Sequence, residues 1–146
     1  KIYRLDLYGE GSSLNQLREL AQTLGVASQL SWYPFVQEEA LVEAMNAAGA
    51  VIVPSQWAEP MGVVAVEAMA CGKVVIGSRR GGLGEVLESY GMTFENGDAE
   101  ELAKCMIEVR ENLDLRLSLE EKCYRRAQDF SIDKVASKYL QLFESL

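Results

Sequence analysis

Short apolar runs alternate with helical segments over the first two thirds of the chain, and this alternation restricts the possible folds more than any other feature. Val51–Val53 and Val74–Gly77 each have the composition of a buried strand. Between them, Val63–Cys71 has the composition of an apolar helix, which Gly72 ends. Strand, helix and strand in succession are typical of parallel strands joined by a helical crossover. The sequence therefore predicts an α/β fold in which helices flank a parallel sheet.

The rest of the chain extends this pattern in both directions. Further strands are predicted over Ile2–Tyr8, Leu30–Tyr33 and Met92–Glu95. Helices are predicted over Leu14–Leu24 (ended by Gly25), Glu38–Ala48, Gly84–Ser89, 99–112, Leu115–Gln128 and Ile132–Leu146. Asp98 has the position of an N-cap, with Glu101 three residues later as in a capping box. The last helix repeats apolar side chains on one face, which either packs on its own domain or serves a missing partner.

The composition predicts a globular protein and gives no support to a nucleic-acid partner. The 146 residues are 49% hydrophobic and suit a single domain. The chain has 14 Lys and Arg against 22 Asp and Glu, which gives a net charge of −8. Bulk charge therefore favours neither nucleic acid nor an anionic membrane. A phosphate site in this chain has to rest on local groups.

Cysteine, histidine and hydrophobic-segment content predict a cytoplasmic chain without a metal site. The three cysteines, Cys71, Cys105 and Cys123, are widely spaced and form no metal-ligand motif, and the chain has no histidine. The cysteines are interpreted as small buried hydrophobes of a reducing compartment. No apolar run approaches the length of about 18 residues that a membrane span needs.

A candidate binding site lies between the two central strands. Glu59 stands at the start of the apolar helix and Glu67 stands inside it, with seven residues between them. The N-terminus of a helix offers unpaired N–H groups to an anion such as diphosphate, and carboxylates accept hydrogen bonds from hydroxyls. A nucleotide sugar carries both of these groups. Two alternatives stay open, because Glu59 and Pro60 are also favoured at an ordinary helix start and Glu67 is also acceptable on a surface.

The same segment resembles the E-x7-E motif of retaining glycosyltransferases with the GT-B fold, in the family numbered four and also called glycosyltransferase group 1. The matching residues are Pro54-Ser55, Glu59-Pro60-Met61-Gly62, Glu67-Ala68-Met69-Ala70 and Gly72. The resemblance implies a Rossmann-like donor-binding domain with a helical C-terminus. It also implies transfer of a glycosyl group, with retention, from a nucleotide-diphosphate sugar such as a UDP-sugar to an acceptor hydroxyl. This chemistry belongs to polysaccharide or glycoconjugate biosynthesis and is expected to require no cofactor and no metal.

The resemblance further implies roles for the residues of the motif. Glu59 is implied to be catalytic, beside the hydroxyls of the donor hexose, and Glu67 to accept hydrogen bonds from the ribose hydroxyls. Sugar and phosphate oxygens are implied to face the backbone N–H groups of Met61, Gly62, Val63 and Val64. Met61 stands where the family usually has Phe. Because these contacts are made mainly by the backbone, we expect the substitution to be tolerated.

Two loops in the first quarter of the chain are further candidates, since α/β folds bind ligands beyond the carboxyl ends of their strands. Gly9 and Gly11 let the backbone approach a phosphate or a partner domain closely, or they form an ordinary turn from strand to helix. By resemblance, Phe35 and Val36 line the base pocket. The alternative is a loop stiffened by Pro34 with one aromatic side chain in the core.

Another candidate loop follows the strand at Val74–Gly77. Gly81 and Gly82 begin a segment that resembles GGxxE of the family, and the resemblance implies that they allow close approach to the diphosphate. Arg79 or Arg80 is expected to neutralise the diphosphate. A solvated basic pair is the alternative.

By the same resemblance, residues 1–146 are expected to form the donor-binding domain of a longer enzyme. An acceptor-binding N-terminal domain and a first donor-domain strand, followed by an Arg and a Lys that clamp the diphosphate, are expected to precede Lys1. The isolated chain is therefore expected to be inactive. Its expected partners are a nucleotide sugar and its own N-terminal domain, and any peripheral membrane association is expected to be made through that missing half. A GT-B-fold sugar-nucleotide epimerase and a non-catalytic nucleotide-binding module are the alternative functions.

Overall fold

The structure is a computed structural model that describes residues 3–145, which contain five β-strands and seven α-helices. The strands are β1 (Leu5–Tyr8), β2 (Leu30–Tyr33), β3 (Val51–Val53), β4 (Val75–Ser78) and β5 (Met92–Phe94). The helices are α1 (Leu14–Thr23), α2 (Glu38–Ala47), α3 (Val63–Ala70), α4 (Gly82–Leu87), α5 (Ala99–Glu111), α6 (Leu113–Ala127) and α7 (Ile132–Glu144). The pairings between these strands are parallel, which confirms the predicted α/β class.

The chain divides into two compact units, of which the first extends to Leu41. In this unit β1 and β2 form a two-stranded sheet, in which Tyr8 lies opposite Tyr33. The rings of these two tyrosines stack with their centroids 4.7 Å apart. Helix α1 connects the strands and is ended, as predicted, by Gly25, whose φ of +69° is typical of a glycine after the last helical turn.

The second unit begins at Val42 and holds the other three strands. Their order is β3-β4-β5, so that Ile76 of β4 lies between Ile52 of β3 and Met92 of β5. Strand β4 is buried along its whole length, as is usual for a central parallel strand. Helix α3 forms the crossover from β3 to β4 and packs against α6, while α5 packs against β5.

An apolar cluster joins this sheet to α5 and α6. Its buried members are Val74, Ile76, Phe94, Cys105, Val109 and Leu119. Cys105 and Cys123 are free thiols buried in the second unit, and burial raises the pKa of both. They are therefore small buried hydrophobes, as predicted, whereas the free thiol of Cys71 is only half-buried.

The strands belong to two sheets, although the alternating pattern predicted one. Among the described strands, β1 pairs with β2 alone and β3 with β4 alone. An apolar run predicts that a segment is a strand, but it does not identify the neighbour with which the strand pairs. The bounds of β1 also differ from the prediction: β1 begins at Leu5, and Ile2 lies outside the described residues.

Helix α3 is less buried than its apolar sequence predicts. Ala65, Ala68 and Met69 are buried, but the side chains of Val63 and Val64 are 59% and 38% exposed. The helix contacts β3, β4 and α6, which cover only one of its sides. Its apolar residues are therefore divided between a packed face and an open face.

The capping box predicted at the start of α5 is only half formed. Asp98 is the N-cap, as predicted, and its carboxylate accepts a hydrogen bond of 2.8 Å from the N–H of Glu101. The Glu101 side chain does not complete the box, because it accepts a hydrogen bond of 2.6 Å from the N–H of Glu95. The N–H of Asp98 instead donates to the carbonyl of Glu95. Glu101 thus ties α5 to the end of β5.

Helix α7 is exposed along its whole length. None of its described residues is buried, and Ile132 and Phe143 are 82% and 66% exposed. The predicted apolar face exists on this helix. Its side chains are not buried against the described residues of the second unit. Burial on its own domain, one of the two alternatives that the sequence left open, is therefore not observed.

Candidate functional site

Three loops meet beyond the carboxyl ends of β3, β4 and β5 in the second unit. The backbones of Glu59 and Gly81 form a parallel bridge, and the N–H of Gly82 donates to the carbonyl of Glu59 at 2.7 Å. The N–H of Arg79 donates to the carbonyl of Phe94 at 2.8 Å. Backbone hydrogen bonds therefore hold the loops after β3 and β4 together at the edge of the sheet where α/β folds bind ligands.

The Glu59 side chain is half-buried at this edge and points back over the start of α3. Its Oε1 accepts a hydrogen bond from the Ser55 hydroxyl. Its Oε2 lies 3.0 Å from the position that a Cβ on Gly62 would occupy, and the Leu83 side chain lies 2.8 Å from that position. Gly62 also has a φ of +77°, which side chains disfavour. A glycine is therefore needed at position 62 to admit the Glu59 carboxylate.

The start of α3 offers free backbone donors beside Glu59. No residue in the described range 3–145 accepts a hydrogen bond from the N–H groups at positions 61–64. These are the donors that an α-helix leaves unpaired at its N-terminus, where the helix dipole also favours negative charge. They are the N–H groups to which the sequence analysis assigned sugar and phosphate oxygens, a role that stays a prediction, and Gly62, the N-cap residue, has no side chain that would cover them.

Glu67 lies on the open face of α3, one helical turn after Val63. Its side chain is exposed and has no partner among the described residues. Glu59, just before α3, and Glu67, inside it, thus differ in environment, because Glu59 is held by Ser55 and Glu67 has no described partner. A free carboxylate retains both oxygens as acceptors for the two hydroxyls of a ribose.

Gly81 and Gly82 have a structural reason to be glycine. A Cβ on Gly81 would lie 2.7 Å from the carbonyl oxygen of Glu59, and a Cβ on Gly82 would overlap the carbonyl oxygen of Pro60. The sequence suggested that these glycines allow close approach to a ligand. In the structure the close approach is made by the loop at Glu59 and Pro60, and a role toward diphosphate stays a prediction.

Arg79 is already paired with carboxylates. Its guanidinium lies 2.8 Å from Glu101 and 3.5 Å from Glu95. The pKa of Glu101 is lowered, first because the N–H of Glu95 donates to its carboxylate and second because Arg79 does. The exposed Arg80 side chain, in contrast, pairs with no carboxylate among residues 3–145. Arg80 is therefore the more available cation of the two, whereas the sequence analysis expected either Arg79 or Arg80 to neutralise the diphosphate.

The candidates in the first unit lie at the carboxyl ends of β1 and β2, as predicted. Gly9 follows β1 and donates from its N–H to the carbonyl of Tyr33 at 3.1 Å. Gly11 accepts a hydrogen bond from the N–H of Leu14 at the start of α1, as in an ordinary turn from strand to helix. Phe35 is 65% exposed and Val36 is half-buried. Their roles toward a ligand stay predictions.

Sequence reasoning missed Asn96, which lies two residues after the end of β5. The side-chain amide of Asn96 donates to the carbonyl of Ser55 at 3.0 Å and accepts from the N–H of Arg80 at 3.2 Å. Asn96 follows β5 and so joins the loops after all three strands. Its position, a polar side chain just beyond the carboxyl end of a strand, was the available signal.

The described residues contain neither a metal-binding cluster nor a membrane-spanning helix. No group of three or more Asp, Glu, Cys or His side chains in the range 3–145 is arranged to hold a metal ion. In the same range, each helix is too short or too polar to cross a membrane.

Comparisons with known proteins agree on one family. The family model described as "Glycosyl transferases group 1" matches residues 2–127. The D-inositol 3-phosphate glycosyltransferase of Corynebacterium jeikeium is 32% identical over 138 residues, which are 93% of this chain and 33% of that protein. The enzyme of the same name from Rhodococcus jostii is 31% identical over 129 residues, 87% of this chain and 28% of its own length.

Solved structures give the same result. The structure of Anabaena Alr3699/HepE in complex with UDP-glucose superposes with a TM-score of 0.87 at 25% identity, over 98% of this chain and 41% of that one. Sucrose-phosphate synthase from Thermosynechococcus elongatus superposes with a TM-score of 0.83 at 28% identity, over 97% of this chain and 38% of that one. The chain thus spans between about a quarter and two fifths of the length of these relatives.

Proposed function

Because the chain belongs to the family of group 1 glycosyl transferases, we propose that it binds a nucleotide-diphosphate sugar and forms the donor-binding part of a retaining glycosyltransferase. The observation that carries the proposal is the start of α3, where the N–H groups at positions 61–64 have no acceptor among the described residues and the Glu59 carboxylate lies beside Gly62, with Glu67 exposed further along the same helix. In this proposal the N–H groups at positions 61–64 and the guanidinium of Arg80 receive the diphosphate. Glu67 binds the ribose hydroxyls and Glu59 binds hydroxyls of the hexose.

The reaction proposed for this site is a substitution at the anomeric carbon of the donor. The bond from that carbon to the diphosphate oxygen breaks, the acceptor hydroxyl oxygen bonds to the same carbon, and the hydroxyl proton is released. Negative charge develops on the departing diphosphate, so fixed N–H donors and a cation beside it lower the barrier. Glu59 acts by orienting the hexose for this step, and no metal is assigned a part in it.

A UDP-sugar is the first donor to test. The Anabaena protein, at 25% identity, has been solved with UDP-glucose. The Rhodococcus and Corynebacterium relatives are named as glycosyltransferases, which favours transfer over the epimerase alternative. We assign Phe35 and Val36 to recognition of the base, and Gly9, Gly11, Gly81, Gly82 and Arg79 to the surroundings of the donor, on the family resemblance alone.

We further propose that the acceptor is bound by a separate domain of a longer protein. Support comes from the share of each relative that the chain spans, which is 33% for the Corynebacterium enzyme. Transfer requires donor and acceptor to be held together in reactive geometry. We therefore expect the 146-residue chain alone to show no glycosyl transfer.

A binding screen with Glu67→Ala tests the donor site. Full-length enzyme is titrated with UDP-glucose, GDP-mannose and ADP-glucose, and the wild type is expected to bind one class of nucleotide. Loss of hydrogen bonds to a charged acceptor costs about 1.5–3 kcal/mol, so the variant is expected to bind that nucleotide roughly 10- to 150-fold more weakly.

The matched control for that screen is Glu108→Ala. Glu108 is an exposed glutamate on α5, away from the three loops, and its removal is expected to leave affinity unchanged. If a well-folded Glu67→Ala variant retains the affinity of the wild type, Glu67 does not bind the ribose. If the wild type binds none of the three sugars, the proposed function is wrong.

A further inference from the structure

The Glu59 side chain is held by Ser55, a residue to which the family resemblance assigned no role. The Ser55 hydroxyl donates to Oε1 of Glu59 from four residues earlier in the same loop. The backbone of Glu59 is fixed separately, by the hydrogen bond of 2.7 Å from the N–H of Gly82 to its carbonyl. With the backbone fixed, rotation of the side chain is the freedom that remains, and the hydrogen bond from Ser55 restricts it.

Ser55 is itself held from a different strand. The side-chain amide of Asn96 donates to the Ser55 carbonyl at 3.0 Å, and the other end of that amide accepts from the N–H of Arg80 at 3.2 Å. Asn96 follows β5, Arg80 follows β4 and Ser55 follows β3. One amide therefore uses both its donor and its acceptor to fix the Ser55 loop relative to the rest of the sheet.

We propose that Ser55 and Asn96 are positioning residues for Glu59, an inference that rests on the proposed function. Ser55 occupies Oε1 of the carboxylate, so that Oε2, on the Gly62 side, is left as the acceptor for a hexose hydroxyl. Asn96 acts one step further away, by holding Ser55 in place. In this proposal neither residue touches the donor. Together they fix the orientation of the Glu59 carboxylate toward the hexose.

The expected effect is on turnover and not on nucleotide affinity. Without the Ser55 hydroxyl, Glu59 keeps its charge but rotates, so the hexose is held less accurately at the anomeric carbon. A small displacement of reacting groups lowers rates by about 100-fold, and we expect Ser55→Ala to lower kcat by roughly 10- to 100-fold. The affinity for the free nucleoside diphosphate, which meets α3 and Glu67, is expected to stay unchanged.

The test uses full-length enzyme and donor hydrolysis, in which water is the acceptor. Water oxygen bonds to the anomeric carbon, the bond to the diphosphate breaks and a proton is released, so released nucleoside diphosphate measures turnover. UDP-glucose, GDP-mannose and ADP-glucose are the probes, and the matching diphosphates are titrated for affinity. Ser55→Thr retains the hydroxyl and is expected to restore most of kcat. Ser118→Ala removes an exposed hydroxyl of α6 and is expected to have no effect.

Asn96→Asp tests the second link. The aspartate oxygen still accepts from the N–H of Arg80 but cannot donate to Ser55, so kcat is expected to fall in the same direction as in Ser55→Ala. Because Asn96 acts through Ser55, the double variant is expected to be no slower than Ser55→Ala alone. Asn46→Asp introduces the same charge at an exposed position of α2 and controls for it.

The outcomes separate this inference from the proposed function. A wild type that binds and hydrolyses a donor, together with a folded Ser55→Ala variant of unchanged kcat, overturns the positioning role alone. Equal losses of affinity for diphosphate and for nucleotide sugar also overturn it, because they indicate a general disturbance of the loop. A wild type that neither binds nor hydrolyses any of the three donors overturns the proposed function and, with it, the positioning role.

Discussion

At the scale of single residues, the two glutamates of the motif differ in the freedom of their side chains. Glu59 is half-buried and accepts a hydrogen bond from Ser55, whereas Glu67 is exposed and without a described partner. A carboxylate held in one orientation suits the part of a donor at which bonds change. A free carboxylate suits a pair of hydroxyls that is bound by the protein but does not take part in the reaction. The difference supports the separate roles proposed for them.

Replacement of Glu59 by glutamine tests this division. Glu59→Gln keeps the shape of the side chain but removes its charge and one acceptor oxygen. If the lost contact is made mainly in the transition state, turnover is expected to fall by about tenfold or more. Affinity for the free nucleoside diphosphate is expected to change little, and both are measured on the full-length enzyme.

Glu88→Gln is the control for that substitution, since Glu88 is an exposed glutamate that follows α4. It is expected to leave turnover and affinity unchanged. The assignment of Glu59 to the hexose is contradicted if Glu59→Gln weakens binding of the free diphosphate as much as binding of the nucleotide sugar.

The type and spacing of the site residues could be predicted from the sequence, but their contacts could not. The seven residues between Glu59 and Glu67 predicted one carboxylate just before a helix and one inside it, and α3, which begins at Val63, has that arrangement. The partners of Arg79 and Asn96 could not be predicted, because they lie 22 and 41 positions away in the chain. Such contacts depend on which strands are neighbours, and a single sequence does not contain that information.

At the scale of elements, periodicity predicted the helices well and their boundaries less well. Helix α4 begins at Gly82, two residues before the predicted start at Gly84. The reason is a long-range hydrogen bond, since the N–H of Gly82 donates to the carbonyl of Glu59 and so fixes the first turn. Local start signals do not include such contacts.

The contacts of Glu101, which accepts a hydrogen bond from the N–H of Glu95 and pairs with Arg79, predict that the stability of the protein depends on pH. The pKa of Glu101 is lowered by the N–H of Glu95 and then by Arg79, so both groups favour its charged form. The stabilisation that they add to the folded state is fully present above the ordinary glutamate pKa of about 4.3. It is lost as the pH falls through the lower pKa of the folded state. We therefore expect wild type to be more stable than Glu101→Gln at neutral pH, and this difference to shrink below about pH 4.

Urea unfolding of the two proteins at a series of pH values measures that difference. Glu100→Gln is the matched control, because the adjacent Glu100 side chain is exposed and has no partner among the described residues. Its difference from wild type is expected to be small at every pH. A Glu101→Gln difference that stays constant on acidification would show that the charge of Glu101 does not stabilise the fold.

At the scale of the whole molecule, helix α7 presents several large apolar side chains to solvent. The exposed apolar side chains of α7 are Ile132, Val135, Tyr139, Leu140, Leu142 and Phe143. Large apolar patches are rarely left in water. The net charge of −8 opposes non-specific association between chains. It does not remove the apolar face of α7 from contact with water.

The 146-residue chain is therefore expected to self-associate through α7. Light scattering at increasing concentration is expected to give a mass above that of the monomer. Ile132→Asp places a charge on the patch and is expected to shift the mass toward the monomer. Leu117→Asp, at a 51% exposed apolar position of α6, is the control and is expected to associate as wild type does. A clean monomer at every concentration would contradict the expectation.

The contact between Gly82 and Pro60 has a consequence for protein engineering. A side chain at position 82 would overlap the carbonyl oxygen of Pro60, so the loop after β3 and the loop after β4 fit each other with no spare volume. A chimera that takes one of these loops from a relative inherits only half of a matched pair. Attempts to alter the proposed donor site by grafting should therefore exchange both loops together, with residue 82 kept as glycine.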